Sequence, residues 1–179
     1  MGESVATVDG AVLEGLARLM EPQGAFADEL RAVGFDVQHP ETRYAPAVLL
    51  AVLDVGARHR YPERTREEAH REIGQRFVEH FFGTFLGRVS GALLQVLGMK
   101  RFLLRLPKVA ALTTDGLEVL VEQGGRNNEL RITFRGPDMS PDFTTGAIEG
   151  AAQAGKSDLR AEIVRRGVGE FEVQATVTR

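Results

Sequence analysis

Residues Gly150 to Ser157 read GAAQAGKS, a literal G-x-x-x-x-G-K-S phosphate-binding pattern. Such a loop cradles phosphate when a strand precedes it and a helix follows, because helix N-terminal amides then face the anion. Here the order is reversed. The small-residue helical pattern PDFTTGAIEGAAQA comes first and an alternating strand pattern comes after. The motif would therefore present phosphate with a helix C-terminus and its negative end. Context excludes the nucleotide, and Gly155 reads as a helix stop. The run VLLAVLD, ending in Asp54, imitates a magnesium-binding strand, but it lies behind the helix start at Pro46.

The four histidines are His39, His59, His70 and His80. None pair at helical i, i+4 spacing and no H-E-x-x-H occurs, so no metal site is expected. His80 adjoins Glu79, but neighbours along a helix point apart. Each histidine reads as a surface or hydrogen-bonded side chain. The chain has no cysteine, hence no disulfide, thiolate nucleophile or cysteine zinc site. No G-x-S-x-G is present, and Ser90 falls in a glycine-rich helical pattern where it serves packing. Asp54, Glu68 and Glu72 are carboxylates on helix faces, where solvent is their usual partner. No catalytic residue, metal ligand or cofactor is expected. Lys100, Arg101, Arg105 and Lys108 form a basic cluster without an aromatic stacking motif. With a net charge of −3 over the chain, it reads as a solvated face and no nucleic-acid partner is expected.

The elements that would position these groups follow from periodicity. Residues 1–8 are expected to be disordered, and 9–179 to form one domain, helical over 9–107 and ββαββ over 111–179. Val12, Leu13, Leu16, Leu19 and Met20 have helical spacing, broken by Pro22 and Gly24. A short helix from about Ala25 stops at Gly34. Pro46 suits the first turn of a third helix, running to about Arg58, with Val48, Leu49, Val52 and Leu53 inward. Thr65-Arg66-Glu67-Glu68 matches a capping box. It opens Thr65–Leu97, the most apolar stretch, read as one central helix or two broken near a glycine. Ile73, Phe77, Phe81 and Phe85 form one stripe along it. Gly98 is a stop, and Met99–Leu106 is a short helix closed by Pro107.

The period then changes to two. Leu117, Val119 and Val121 alternate, as do Leu130, Ile132 and Phe134, around the turn QGGRNN. Ser140-Pro141-Asp142 starts a helix to Ala154. Leu159–Ile163 and Phe171–Val177 make a second hairpin. The fold class expected is α+β, with N-terminal helices on a four-stranded antiparallel sheet of ββαββ order. The Thr65–Leu97 element is the candidate to cover that sheet.

Gly83, Gly87 and Gly91 recur one turn apart, and each costs about 1 kcal/mol of helix propensity against Ala. Three readings stand: close packing within the chain, a homodimer seam, or a narrow ligand cleft. Phe77, Phe81, Phe85 and Phe102 could line such a cleft, and they equally suit a core. Phe81–Leu97 carries Arg88 and Gln95 and is short for a bilayer of about 30 Å, so no membrane span is expected. The N-terminus lacks the basic and apolar regions of a secretory signal. These features and the absent cysteines fit a cytoplasmic location.

On GQRFVEHFFGTFLGRVSGALLQVLGMKRFL, the Gly-Arg-Asn-Asn turn and PDFTTGAIEGAAQAG followed by two strands, the chain resembles a paralogous family of myxobacterial proteins of unknown function. The order of helices then ββαββ also resembles haem–nitric-oxide-binding, vinyl-reductase-type sensor and Golgi-transport subunit domains. That resemblance implies a non-enzymatic sensor or regulatory domain, a homodimer or a protein partner in signalling, and a pocket between central helix and sheet. The alternative is an interaction module without a ligand. The haem branch uses a histidine and a Tyr-x-Ser-x-Arg motif, which neither Tyr44 nor Tyr61 begins. The sensor branch commonly uses cysteines for metal, and this chain has none.

Overall fold

The computed structural model describes residues 6–178. Strand β1 (Thr7–Asp9) leads into α1 (Gly10–Met20), capped by the Asp9 carboxylate, which accepts the Ala11 N–H at 2.9 Å. Helix α2 (Ala25–Ala32), strand β2 (Arg43–Tyr44) and helix α3 (Pro46–Arg60) follow. The disorder expected over 1–8 is corrected at Thr7 and Val8, which pair with Asp115 and Thr114 of β3 (Thr114–Asp115). Val8 also pairs with Tyr44 and is 1% exposed. Period-two reading cannot see a three-residue strand, because alternation needs a longer run. The earlier part of that segment, 1–5, lies outside the described residues.

The long apolar stretch is two helices, α4 (Arg66–Phe82) and α5 (Phe85–Leu97). The capping box is complete. Thr65 N–H donates to Glu68 Oε2 at 3.0 Å, and Thr65 Oγ1 accepts from Glu68 N–H at 3.3 Å. At the break, buried Thr84 ends one helix and starts the next. Its hydroxyl donates to the Phe81 carbonyl at 2.7 Å and accepts from Gly87 N–H at 3.0 Å. Helix α6 (Met99–Leu104) is followed directly by α7 (Leu106–Thr113). Pro107 thus opens a helix rather than closing one, since a first-turn N–H has no intrahelical acceptor to lose.

Strands β4 (Glu118–Gln123) and β5 (Glu129–Arg135), helix α8 (Pro141–Ala154), and strands β6 (Leu159–Gly167) and β7 (Glu170–Val177) complete the chain. The antiparallel sheet has the order β4-β5-β7-β6. Its buried face carries Val119, Leu130, Ile132, Phe134, Ala161, Phe171, Val173 and Ala175. Phe134 and Phe171 are register partners and stack with centroids 4.8 Å apart. A bulge between Ile163 and Arg165 interrupts the β6 edge.

The principal neighbour of α4 is α8, with α8 on β6 and α7 against β4. The expectation that Thr65–Leu97 itself covers the sheet is corrected accordingly. The small residues of α8 are the reason. A methyl added at Gly146 would stand 2.1 Å from the Arg71 carbonyl oxygen, and one at Gly150 would stand 2.2 Å from that of Gln75. In return, one at Gly74 would meet the Phe143 carbonyl oxygen at 2.2 Å. The two backbones are in contact, and no longer helix face fits between them.

Candidate functional site

Where α1, α3 and α4 meet α6, α7, α8 and β5, the core leaves a cavity of about 220 Å³. Its walls include Val8, Val12, Leu49, Phe77, Phe81, Phe102, Phe134 and Phe143. The aromatic side is continuous. Phe77 stacks on Phe81 at 5.2 Å and tilts against Phe143 at 5.3 Å. The polar groups in the wall are Ser90, Thr113, Thr114, Asp138, Ser140 and Thr144. Two of the hydroxyls have their protons directed to helix carbonyls: Thr113 to Ala110 at 3.0 Å and Ser90 to Leu86 at 3.5 Å. Among the described residues the lining holds no histidine, cysteine, tyrosine, lysine or arginine.

Of the four phenylalanines expected to line a cleft, Phe77, Phe81 and Phe102 do so. Phe85 does not. It is the first residue of α5 and is 77% exposed. The break at Gly83–Thr84 resets the helical phase, so the stripe read through Phe81 does not continue to Phe85. For the glycines, the geometry matches the first of the three readings, close packing within the chain, at two of the three positions. Gly83 is exposed and caps α4, with Arg18 beside it. Gly87 and Gly91 are buried against their own chain. A methyl at Gly87 would lie 1.8 Å from the Phe81 carbonyl oxygen, and one at Gly91 would lie 3.2 Å from the Phe82 ring. These glycines let α5 fold back on the end of α4, and the three do not make one continuous face.

One buried polar arrangement borders the cavity. His70 is 1% exposed, and its Nδ1 lies 2.8 Å from Ser140 Oγ. Its Nε2 lies 3.0 Å from Asp54 Oδ1, off the line of a well-formed hydrogen bond. Asp54 in turn is bound by Arg66, Nε to Oδ1 at 2.6 Å and a second nitrogen to Oδ2 at 3.2 Å. Burial pushes the His70 pKa below its ordinary value, outweighing the attraction of Asp54, and keeps the ring neutral. Ser140 also caps α8, accepting the Phe143 N–H at 3.2 Å. The sequence showed Ser140 as a cap, and His70 shares the inward face of Ile73 and Phe77 by three and seven residues. What no spacing rule could show is that a residue of α3 and one before α8 converge on that ring.

Elsewhere the rejected motifs have structural roles. Gly150 packs on Gln75, and Gly155 ends α8 before β6. His59 stacks on Phe26 at 4.4 Å and contacts Glu29 at 3.1 Å. In the basic cluster, Lys100 donates to the Asn127 carbonyl, and Arg101, Arg105 and Lys108 are exposed. Among the described residues no helix is long and apolar enough to cross a membrane, and no group of three or more acidic, histidine or cysteine side chains is placed to hold a metal.

A family model described as "Protein of unknown function (DUF2378)" matches residues 3–174. No curated protein sequence matches the chain. Among solved structures, an H-NOX domain from work on H-NOX activation is similar with a TM-score of 0.71 at 15% identity, covering 95% of this chain and 94% of that one. An oxygen-binding H-NOX domain related to soluble guanylate cyclases gives 0.68 at 16%, covering 95% and 93%. An H-NOX structure from work on haem distortion gives 0.70 at 16%, covering 96% and 95%. At such identities the likeness is one of fold.

Proposed function

The chain belongs to the DUF2378 family, whose membership carries no activity with it, and we propose that it is a sensor or regulatory domain that binds a small, uncharged, apolar ligand. The observation that carries this reading is the cavity of about 220 Å³ walled by phenylalanines and aliphatic side chains. For scale, an engineered apolar cavity of about 150 Å³ stays dry and takes up benzene. The H-NOX neighbours support a sensing role through shared fold alone. The absence of cysteines suits the reducing cytoplasm as its place of work.

Haem does not fit this cavity. Haem iron is held by His, Cys, Tyr or a Met/His pair, and the lining offers only the thioether of Met139. The buried His70 has its two ring nitrogens turned to Ser140 and Asp54. No lysine or arginine lines the wall to pair with carboxylates. No step of the proposed function passes through haem.

Native mass spectrometry of the purified protein tests the reading. A small organic molecule carried with the protein, or uptake of an added apolar probe, supports it. A ligand-free protein that takes up no apolar probe overturns it. A second reading, an interaction module, is favoured by Phe85, Val89 and Val96, all exposed on α5. Its occupant would be a second copy of this chain, and the same spectra report the dimer.

A further inference from the structure

Given an apolar ligand in this cavity, the hydrogen-bonding state of Ser140 decides what polar group that ligand carries. Asp54 faces the far nitrogen of the His70 ring. Its Oδ1 stands 3.0 Å from His70 Nε2. Even off the hydrogen-bond line, a carboxylate at that distance favours N–H over a lone pair, and the buried ring is neutral. The single ring proton is therefore on Nε2, and Nδ1 is an acceptor. The Ser140 hydroxyl, 2.8 Å away, must donate to it. One of the two Ser140 lone pairs accepts the Phe143 N–H at 3.2 Å. One lone pair remains, on a residue of the cavity wall that is 8% exposed.

We infer that Ser140, oriented by His70, is the specificity-determining residue of the cavity, and that it selects an apolar ligand bearing one neutral hydrogen-bond donor, such as an N–H or O–H. A ligand offering only an acceptor meets a hydroxyl whose proton is already committed. An anion is disfavoured as well, because no cation lines the wall and Asp138 does. His70 is a positioning residue. It does not line the cavity, and it acts by fixing where the serine proton points.

Indole and its carbocyclic isostere indene are the probes, matched in shape and differing in the N–H. The chain has no tryptophan, so indole fluorescence reads binding directly and indene is read by competition. Wild-type protein is expected to hold indole about fivefold more tightly than indene, the worth of one net hydrogen bond. The Ser140→Gly variant removes the hydroxyl; the lost cap costs about a few tenths of a kcal/mol and the unpaired His70 Nδ1 about 1–3 kcal/mol, so retention of the fold is checked by circular dichroism before binding is read. In that variant the ratio is expected to fall to about one. Thr144 and Thr114 also carry hydroxyls in the wall and Asp138 a carboxylate, and a preference that survives in Ser140→Gly would assign it to one of these acceptors and overturn the inference. Equal binding of the two probes to the wild type overturns the inference and leaves the apolar-ligand reading standing. Binding of neither overturns both.

Discussion

Gly146 of α8 rests on the carbonyl of Arg71 in α4, so closely that a single methyl would stand 2.1 Å from the oxygen. Backbone cannot yield as a flexible side chain can. Gly146→Ala is therefore expected to destabilise the fold by about 1–3 kcal/mol, the range for overpacked sites. Gly125→Ala is the control, because nothing lies within 4 Å of a methyl there. Thermal unfolding of the two variants beside the wild type checks the contrast, and equal melting temperatures would show that the α4–α8 contact is looser than described.

The joint between α4 and α5 gives a second test. Gly87→Ala would place a methyl 1.8 Å from the Phe81 carbonyl oxygen. A melting temperature lowered on the same scale is expected, with no change in the oligomer distribution by native mass spectrometry. A shift from dimer to monomer without loss of stability would instead return the glycines to an intersubunit role.

Acid should expose His70. Its pKa is lowered from 6.5 by burial, against raising contributions from Asp54 and Asp142 and a further lowering one from Arg66. The unfolded chain thus takes up a proton more readily than the folded one. The contribution of His70 is complete above pH 6.5 and is lost as pH falls through the depressed folded value. Glu29, Glu68 and Glu170 are lowered from 4.5, and Asp36 from 3.8, so their losses begin further down. Urea midpoints at a series of pH values from about 7.5 down to about 5 should decline in the wild type and decline less in His70→Gln. Parallel curves would remove His70 from the account.

Filling the cavity separates ligand binding from folding. Ala110 lines it from α7 and is half-buried. Ala110→Leu is expected to weaken indole binding about tenfold or more while the helical circular-dichroism signal is retained, because the added carbons occupy volume the ligand needs. Unchanged indole affinity in the folded variant would place the binding site elsewhere.

Element by element, the sequence was most legible where a residue type has one local meaning. Thr65 with Glu68, Pro46, and Ser140 with Pro141 each mark a helix start that the structure places there. The two long hairpins were legible because their alternation runs over several residues. Phe77, Phe81 and Phe102 were legible as apolar, and they reach the cavity. Phe85 was misread because periodicity assumes an unbroken helix, and Thr84 breaks it with a side-chain bond to Phe81. The glycines stayed open between three readings for a related reason. Spacing says that Gly87 and Gly146 both need room, and only the tertiary structure says whose backbone needs it. The His70–Ser140 pair was out of reach, since its partners lie 70 positions apart.

The strand that begins the described chain bears on how the cavity comes into being. Val8 lines it, held between Tyr44 and Thr114, and the neighbouring Thr7 hydroxyl reaches Asp115 across 108 positions at 3.2 Å. Closing so long a loop costs entropy before any packing offsets it, and contacts of this range form slowly. One wall of the binding space thus depends on a contact that spans the whole helical half of the chain. The binding space therefore exists only in the folded chain, and a ligand that fills it stabilises that state by mass action.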